Sequence, residues 1–242
     1  MRLIANNYTN KQSSCYFLDM RNSTYITRVI SISRESEKNV VSTQRLKDHS
    51  MFMMDIHKQL HYLLLKKDLL KLSHHNNTGD GHMCLLWDNR HAWSVLNIVC
   101  SMAQFLQKKV SLYNSTTLME WSKAINQPLK LDFGIGIHSG GSLVYENDVF
   151  DGNFAYGIVL NSASRVEAFT KNFVNIPILL TNNCLDLLEK QHKKYNVSGK
   201  DWSFYRDKIK QVTFHRVDIK DNKNRGHELY TILPSEWKWF IE

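Results

Sequence analysis

Proline and glycine are scarce, at three and ten in 242 residues. That scarcity excludes collagen-like, low-complexity and disordered classes, which need far more of both. Long apolar runs are missing too, and none reaches the length a membrane span requires. The opening Met1-Arg-Leu-Ile-Ala-Asn-Asn-Tyr8 holds no extended apolar stretch and does not read as a signal peptide. The four cysteines, Cys15, Cys84, Cys100 and Cys184, form no Cys-x-x-Cys pair. Reduced thiols in a cytoplasmic protein are the expectation. With no Gly-, Pro- or Ser-rich linker and no internal repeat, residues 1–242 read as one domain, its core running from about Ser14 to Leu233.

Negative charge is in the minority. Lys and Arg number 31 against 23 Asp and Glu, for a net charge of +8. Such a balance favours polyanionic partners, which include nucleic acids and free nucleotides. The excess gathers late, in Lys190 to Lys194 and Lys208 to Arg225. No nucleic-acid-binding motif accompanies it, so it reads as a solvated basic face and nucleic acid is not the expected partner.

What is present is ample core material, with 43% hydrophobic and 11% aromatic residues. Cys15 to Met20 is a short apolar run interrupted by Asp19 and reads as a buried strand, followed by a turn at Arg21 to Thr24. Phe52, Met53, Ile56, Leu60, Leu63 and Leu64 recur at helical spacing within a helix over Ser42 to Lys67. Leu69 to Ser73 and His82 to Trp87 flank Thr78-Gly-Asp-Gly81 and predict a β-hairpin, because Asp-Gly favours tight turns. A helix follows over His91 to Lys109. Leu129 to His138 and Ser142 to Tyr145 predict two strands about a turn at Ser139-Gly-Gly141. A helix over Asn161 to Lys171, a strand over Ile176 to Leu180, a helix over Asn182 to His192 and a strand pair over Phe214 to Ile219 and Glu228 to Leu233 complete an α+β chain.

Three elements carry chemistry. Asp19 and Asp80 place carboxylates at strand ends, which suits a pair of hard divalent cations. Asn161 and Arg165 lie at i and i+4, so they share a helix face. The planar guanidinium of arginine suits phosphate better than a lysine ammonium does. Together they point to chemistry on a nucleoside triphosphate.

These motifs resemble the class III nucleotidyl cyclase catalytic domain, in the family's order along Ser14 to Leu233. Phe17-Leu-Asp-Met-Arg-Asn-Ser-Thr24 is similar to its first metal motif and phosphate-binding turn, and Asn77-Thr-Gly-Asp-Gly81 to its second metal hairpin. Phe133-Gly-Ile-Gly-Ile-His-Ser-Gly140 resembles its central strand and turn. Gly157-Ile-Val-Leu-Asn-Ser-Ala-Ser-Arg-Val-Glu167 resembles Gly-x-x-Val-Asn-x-Ala-x-Arg-x-Glu. The resemblance implies an α+β fold on a ferredoxin-like βαββαβ core, working as a head-to-tail homodimer. Asp19 and Asp80 of one subunit would then hold two Mn²⁺ or Mg²⁺ ions, and Asn161 and Arg165 would come from the other. Asn161 would orient the ribose and Arg165 would stabilise charge on the α-phosphoryl group. Asn22, Ser23, Thr24 and Arg21 would face the phosphates. His138, at the cleft edge, reads as a satisfied core or turn histidine.

The chain departs from the family at its base-reading positions, which hold Asn76 and Phe154 in place of the purine patterns. A phenyl ring cannot accept from an exocyclic amine and takes up volume, while Asn76 can donate and accept. This makes the chain similar to the bacterial anti-phage pyrimidine cyclases of Pycsar systems. The resemblance implies cyclic CMP or cyclic UMP made from CTP or UTP as a signal to a separate effector protein. A purine cyclase with unusual selectors and a catalytically silent nucleotide-binding domain remain alternatives. The family often holds the outer phosphates with an Arg where Gly134 stands here, leaving Arg21 or Lys220 as candidates.

Overall fold

The computed structural model describes residues 8–33, 39–66, 69–88, 90–145, 154–173, 175–195, 212–221 and 223–240. Strand β1 (Tyr8–Arg21) leads into helices α1 (Ser23–Ser33) and α2 (Asn39–Lys66), then strands β2 (Ser73–Asn77) and β3 (Gly81–Leu86). Helices α3 (His91–Tyr113) and α4 (Met119–Ile125) precede β4 (Asp132–Tyr145) and β5 (Phe154–Tyr156). Helix α5 (Ile158–Phe169), strand β6 (Ile178–Thr181), helix α6 (Asn182–Tyr195) and strands β7 (His215–Lys220) and β8 (Gly226–Thr231) follow.

The strands form one mixed sheet in the order β2-β3-β1-β4-β6-β8-β7, with β5 paired to β4. The three pairings within β2-β3-β1-β4 are antiparallel, whereas β4 pairs with β6 in parallel. With α1 and α2 between β1 and β2 and α3 between β3 and β4, the first four strands reproduce the expected βαββαβ core.

The period of two in β1 divides the molecule into layers. Tyr16, Leu18 and Met20 point into the large core shared with Ile56, Leu60 and Leu64 of α2 and with α3. Cys15 points to the opposite face, with Phe17 packed on the same cluster, which Val159 and Ala163 of α5 complete. Asp19 shares that second face. Helix α3 is apolar nearly all round in its first half because it lies between the sheet and the C-terminal turn, where Trp93 packs on Phe240 at 5.0 Å between ring centres.

Two glycines set the height of α5 above the sheet. A Cβ on Gly136 would collide with the backbone of Ala163 and Glu167, and one on Gly134 with the side chains of Arg21, Thr170 and Glu167. Only hydrogen at these positions lets the helix lie directly on β4.

Three sequence expectations are corrected. Ser139-Gly-Gly141 is no turn: β4 runs unbroken for 14 residues, because β1 pairs with it along its whole length from Tyr8↔Tyr145 to Arg21↔Asp132. Hydroxyl pairs Ser13–Ser142 at 2.9 Å and Ser14–Ser139 at 2.6 Å bridge the two strands there. The first strand of the hairpin is the polar Ser73–Asn77, not Leu69 to Ser73, since register with β3 pairs Ser73 with Leu86 and Asn77 with His82. Leu70–Leu72 forms a short 3-10 turn leading into it. Finally, Arg21 to Thr24 is less a turn than a junction: Asn22 adopts φ 66°, which asparagine tolerates, and α1 starts at Ser23.

Candidate active site

Asp19 and Asp80 meet at one end of the β1 ladder. Asp19 pairs with Gly81 in register, and the Met20 amide donates to the Asp80 carbonyl at 3.2 Å. The tight turn that holds Asp80 uses Gly79 at φ 78°, in the left-handed region that glycine enters freely. Both carboxylates line a cleft of about 1130 Å³, together with Arg21, Thr24, Lys130 and Lys171. Burial raises the Asp19 carboxyl above the usual carboxylate range, and the Asp80 carboxylate adds to the rise, while the Lys171 ammonium opposes it from 3.6 Å.

Two oxygen-rich acids repelling each other across a cleft fit divalent cations, whose hard acidity prefers carboxylate oxygen. Among the described residues no three metal-ligating side chains converge on a point. Two carboxylates are nonetheless enough for Mg²⁺ or Mn²⁺ when phosphate oxygens and water complete the shell.

The expected phosphate-facing side chains are already engaged. Asn22 donates to the Lys130 carbonyl at 3.0 Å, Ser23 shares a hydrogen bond with His49 at 3.1 Å, and Thr24 donates to Asp80 at 3.2 Å. Arg21 donates to Asp132 at 3.4 Å and to Thr170, and its guanidinium lies 4.0 Å from Glu167. The α1 amides that precede the first intrahelical bond, Ile26 to Asn22 at 2.9 Å, are the donors this junction leaves for an anion. Lys220, on the exposed end of β7, does not line this cleft.

Asn161 and Arg165 stand elsewhere. Val159, Ala163, Val166 and Glu167 are the buried positions of α5, so the stripe at i and i+4 that carries Asn161 and Arg165 is exposed. Neither residue lines the cleft, and among the described residues neither makes a hydrogen bond or ion pair. Asn76 is exposed on β2, paired with Met83, and that pairing puts it on the sheet face that α5 covers. Phe154 begins β5 opposite Tyr145, and its side chain lies outside the described residues. Exposed apolar side chains, Leu143, Tyr156 and Ile158, flank this end of α5.

Three residues, two lining the cleft and one beside it, were not singled out by sequence. Lys171 reaches Asp19 because a 3-10 turn at Thr170–Asn172 ends α5 over the cleft. Lys130 precedes β4. Glu167 was visible in the motif but carried no assigned role. It is 4% exposed, and burial first, then the Asp19 carboxylate, push its carboxyl up to about 7. His138 hydrogen-bonds Thr181 at 2.9 Å, as a satisfied core histidine would.

No protein-family model and no curated protein matches this sequence. Solved structures do match. The adenylyl cyclase CyaB from P. aeruginosa is similar over 93% of this chain and 95% of its own, with 16% identity and a TM-score of 0.56. A guanylyl cyclase is similar over 93% of both chains, with 13% identity and a TM-score of 0.58. A dimeric guanylyl cyclase domain from the aquatic fungus Blastocladiella emersonii covers 94% of this chain and 97% of its own, with 13% identity and a TM-score of 0.53. From end to end of its described core, the chain has the fold of the adenylyl and guanylyl cyclase catalytic domains.

Proposed function

We propose that this protein is a nucleotide cyclase that converts CTP or UTP to the 3′,5′-cyclic monophosphate and pyrophosphate, working as a head-to-tail homodimer. The observation that carries the reading is the separation of the two half-sites. Asp19 and Asp80 share a cleft, whereas Asn161 and Arg165 stand exposed on the outer face of α5, unbonded among the described residues. A symmetric pairing of two copies brings the α5 face of each over the cleft of the other, giving two equivalent sites. Leu143, Tyr156 and Ile158 supply apolar surface for that contact.

Asp19 and Asp80 would hold two divalent cations, Mn²⁺ or Mg²⁺, which lower the pKa of the attacking 3′-hydroxyl and neutralise the triphosphate. The α1 amides after Asn22 receive phosphate oxygens. Arg165 donates its guanidinium hydrogens to the α-phosphoryl oxygens as charge builds there. Asn161 donates to the ribose ring oxygen and fixes the attack angle. Asn76 lies on the same sheet face as α5 and would read the base, and a phenyl group at position 154 would by its bulk favour a pyrimidine. The cyclic product would serve as a diffusible antiviral signal to a separate effector protein.

The test is incubation of the purified chain with each of the four nucleoside triphosphates and Mn²⁺, followed by separation of the products. Cyclic CMP or cyclic UMP is expected, and Asp19→Ala is expected to abolish it while leaving the dimer intact. A cyclic purine as the sole product overturns the pyrimidine assignment. Nucleotide binding without turnover of any of the four overturns the enzyme itself.

A further inference from the structure

On the far side of the sheet from α5 lies a second, smaller cleft of about 480 Å³, between α2 and the β2–β3 hairpin. Four histidines line it: His57 and His61 from α2, His75 from β2 and His82 from β3. The first two are an i, i+4 pair and so share one helix face. His75 and His82 share one sheet face, since β2 alternates and His75 pairs with Cys84, the neighbour of His82 at two residues. The rings follow one another closely. Centroids of His61 and His75 are 5.4 Å apart, those of His75 and His82 6.3 Å, and those of His82 and His57 6.5 Å.

Two imidazoles on one tetrahedral ion place their ring centres about 5 Å apart, given metal–nitrogen bonds of about 2.0–2.1 Å. The His61–His75 pair already has nearly that spacing. Tyr16 hydroxyl holds Nδ1 of His82 at 3.0 Å, which fixes the ring and leaves Nε2 as its remaining nitrogen. His57 Nδ1 is buried without a partner, while its Nε2 bonds the Gly79 carbonyl at 3.2 Å.

We propose that this cleft binds a borderline transition-metal ion, of which Zn²⁺ is the type, through His61 and His75, with His57 or His82 as the third ligand. Among the described residues no three ligands yet converge, so either the ring of His57 swings in by side-chain rotation or the exposed ring of His61 moves toward the fixed ring of His82 when the ion enters. The site is chemically separate from the two carboxylates of the large cleft. Imidazole selects Zn²⁺, Ni²⁺ or Cu²⁺, whereas Asp19 and Asp80 select oxygen-seeking Mg²⁺ or Mn²⁺. An ion here ties α2 to the hairpin that carries Asp80, because His61 belongs to α2 and His75 to β2, whose turn into β3 holds Asp80.

The proposal does not depend on the cyclase reading, and its test needs no turnover. The full chain, stripped with chelator, is titrated with Zn²⁺ against a chromogenic competitor, and with Co²⁺ while its visible absorption is recorded. One ion per chain is expected, with visible Co²⁺ bands of nitrogen ligation and a higher unfolding temperature. His61→Ala and His75→Ala should each weaken Zn²⁺ at least about 10–100-fold. His61 is exposed, so its substitution does not threaten folding, and folding of both variants is checked by circular dichroism. Asp19→Ala should leave Zn²⁺ affinity unchanged. Absence of stoichiometric Zn²⁺ binding overturns the proposal. So does binding that survives both histidine substitutions, or binding that is lost with Asp19.

Discussion

The two halves of the candidate active site are built in opposite ways. Asp19 and Asp80 sit among fixed neighbours: a backbone bond joins their strands, Thr24 holds one carboxylate and Lys171 the other. Asn161 and Arg165 are displayed on an outer helix face with no bond to their own chain among the described residues. The first half is preorganised by the fold, and the second becomes a site only when something covers it. On the proposed reading the cleft would be completed only by a second copy, which would tie activity to association.

The sharpest way to break that contrast is complementation. Asp19→Ala and Arg165→Ala should each be defective alone, the former without measurable turnover and the latter slowed about 10²–10³-fold. Mixed in equal amounts and allowed to exchange subunits, they should regain about a quarter of wild-type turnover, because half the dimers are mixed and each of those holds one intact site. Activity that stays at the level of the separate variants would place all four residues in one subunit's site.

A second test addresses how α5 is held. Gly136→Ala drives a methyl group into the Ala163 and Glu167 backbone, so its cost should lie at or above the roughly 1–3 kcal/mol typical of overpacking. A Cβ on Gly141, in the same strand, meets nothing within 4 Å, and Gly141→Ala should be nearly neutral. Urea midpoints at constant slope compare the two directly. Equal midpoints would mean that α5 does not rest on β4 as described.

Glu167, beneath the exposed face and beside the fixed one, gives a pH test. Its carboxyl titrates near 7 when folded against an ordinary 4.5, so the folded state keeps a proton that the unfolded chain releases. The group therefore withdraws stability as pH rises from about 4.5 to 7. Glu167→Gln should remove that slope, gaining on the wild type by up to about 3 kcal/mol across the window in cation-free buffer. Parallel stability–pH curves for the two proteins would refute it. The smallest effect belongs to Lys171→Met. Its ion pair with Asp19 is half exposed, so thermal unfolding should move by less than about 1 kcal/mol.

The preorganised half was the more legible in sequence. Asp19 at the end of an alternating strand and Asp80 in a Gly-Asp-Gly turn announce themselves through local rules, and the structure puts them in one cleft. The helical pair Asn161 and Arg165 was equally plain as a pair. What sequence could not supply was anything set by the crossing of α5 over β4. Lys171 reaches Asp19, and Arg21 turns away toward Asp132 and Thr170, through contacts between residues more than 100 positions apart. The edge strand Ser73–Asn77 was missed because its polar residues carry no apolar alternation, its place being fixed by pairing with β3. The glycine pair at 140 and 141 misled for the converse reason, since local turn preference gives way to a ladder that β1 continues on either side.

One consequence follows from the unbroken β4. Its 14 residues span about 46 Å at a rise of about 3.3 Å each, from Asp132 beside the carboxylate cleft to Tyr145 near the exposed apolar rim. A single codon inserted anywhere along that span would turn every later side chain to the wrong side of the sheet. Cleft floor and outer rim are thus locked into one side-chain phase, which an inserted residue could keep only by forming a β-bulge.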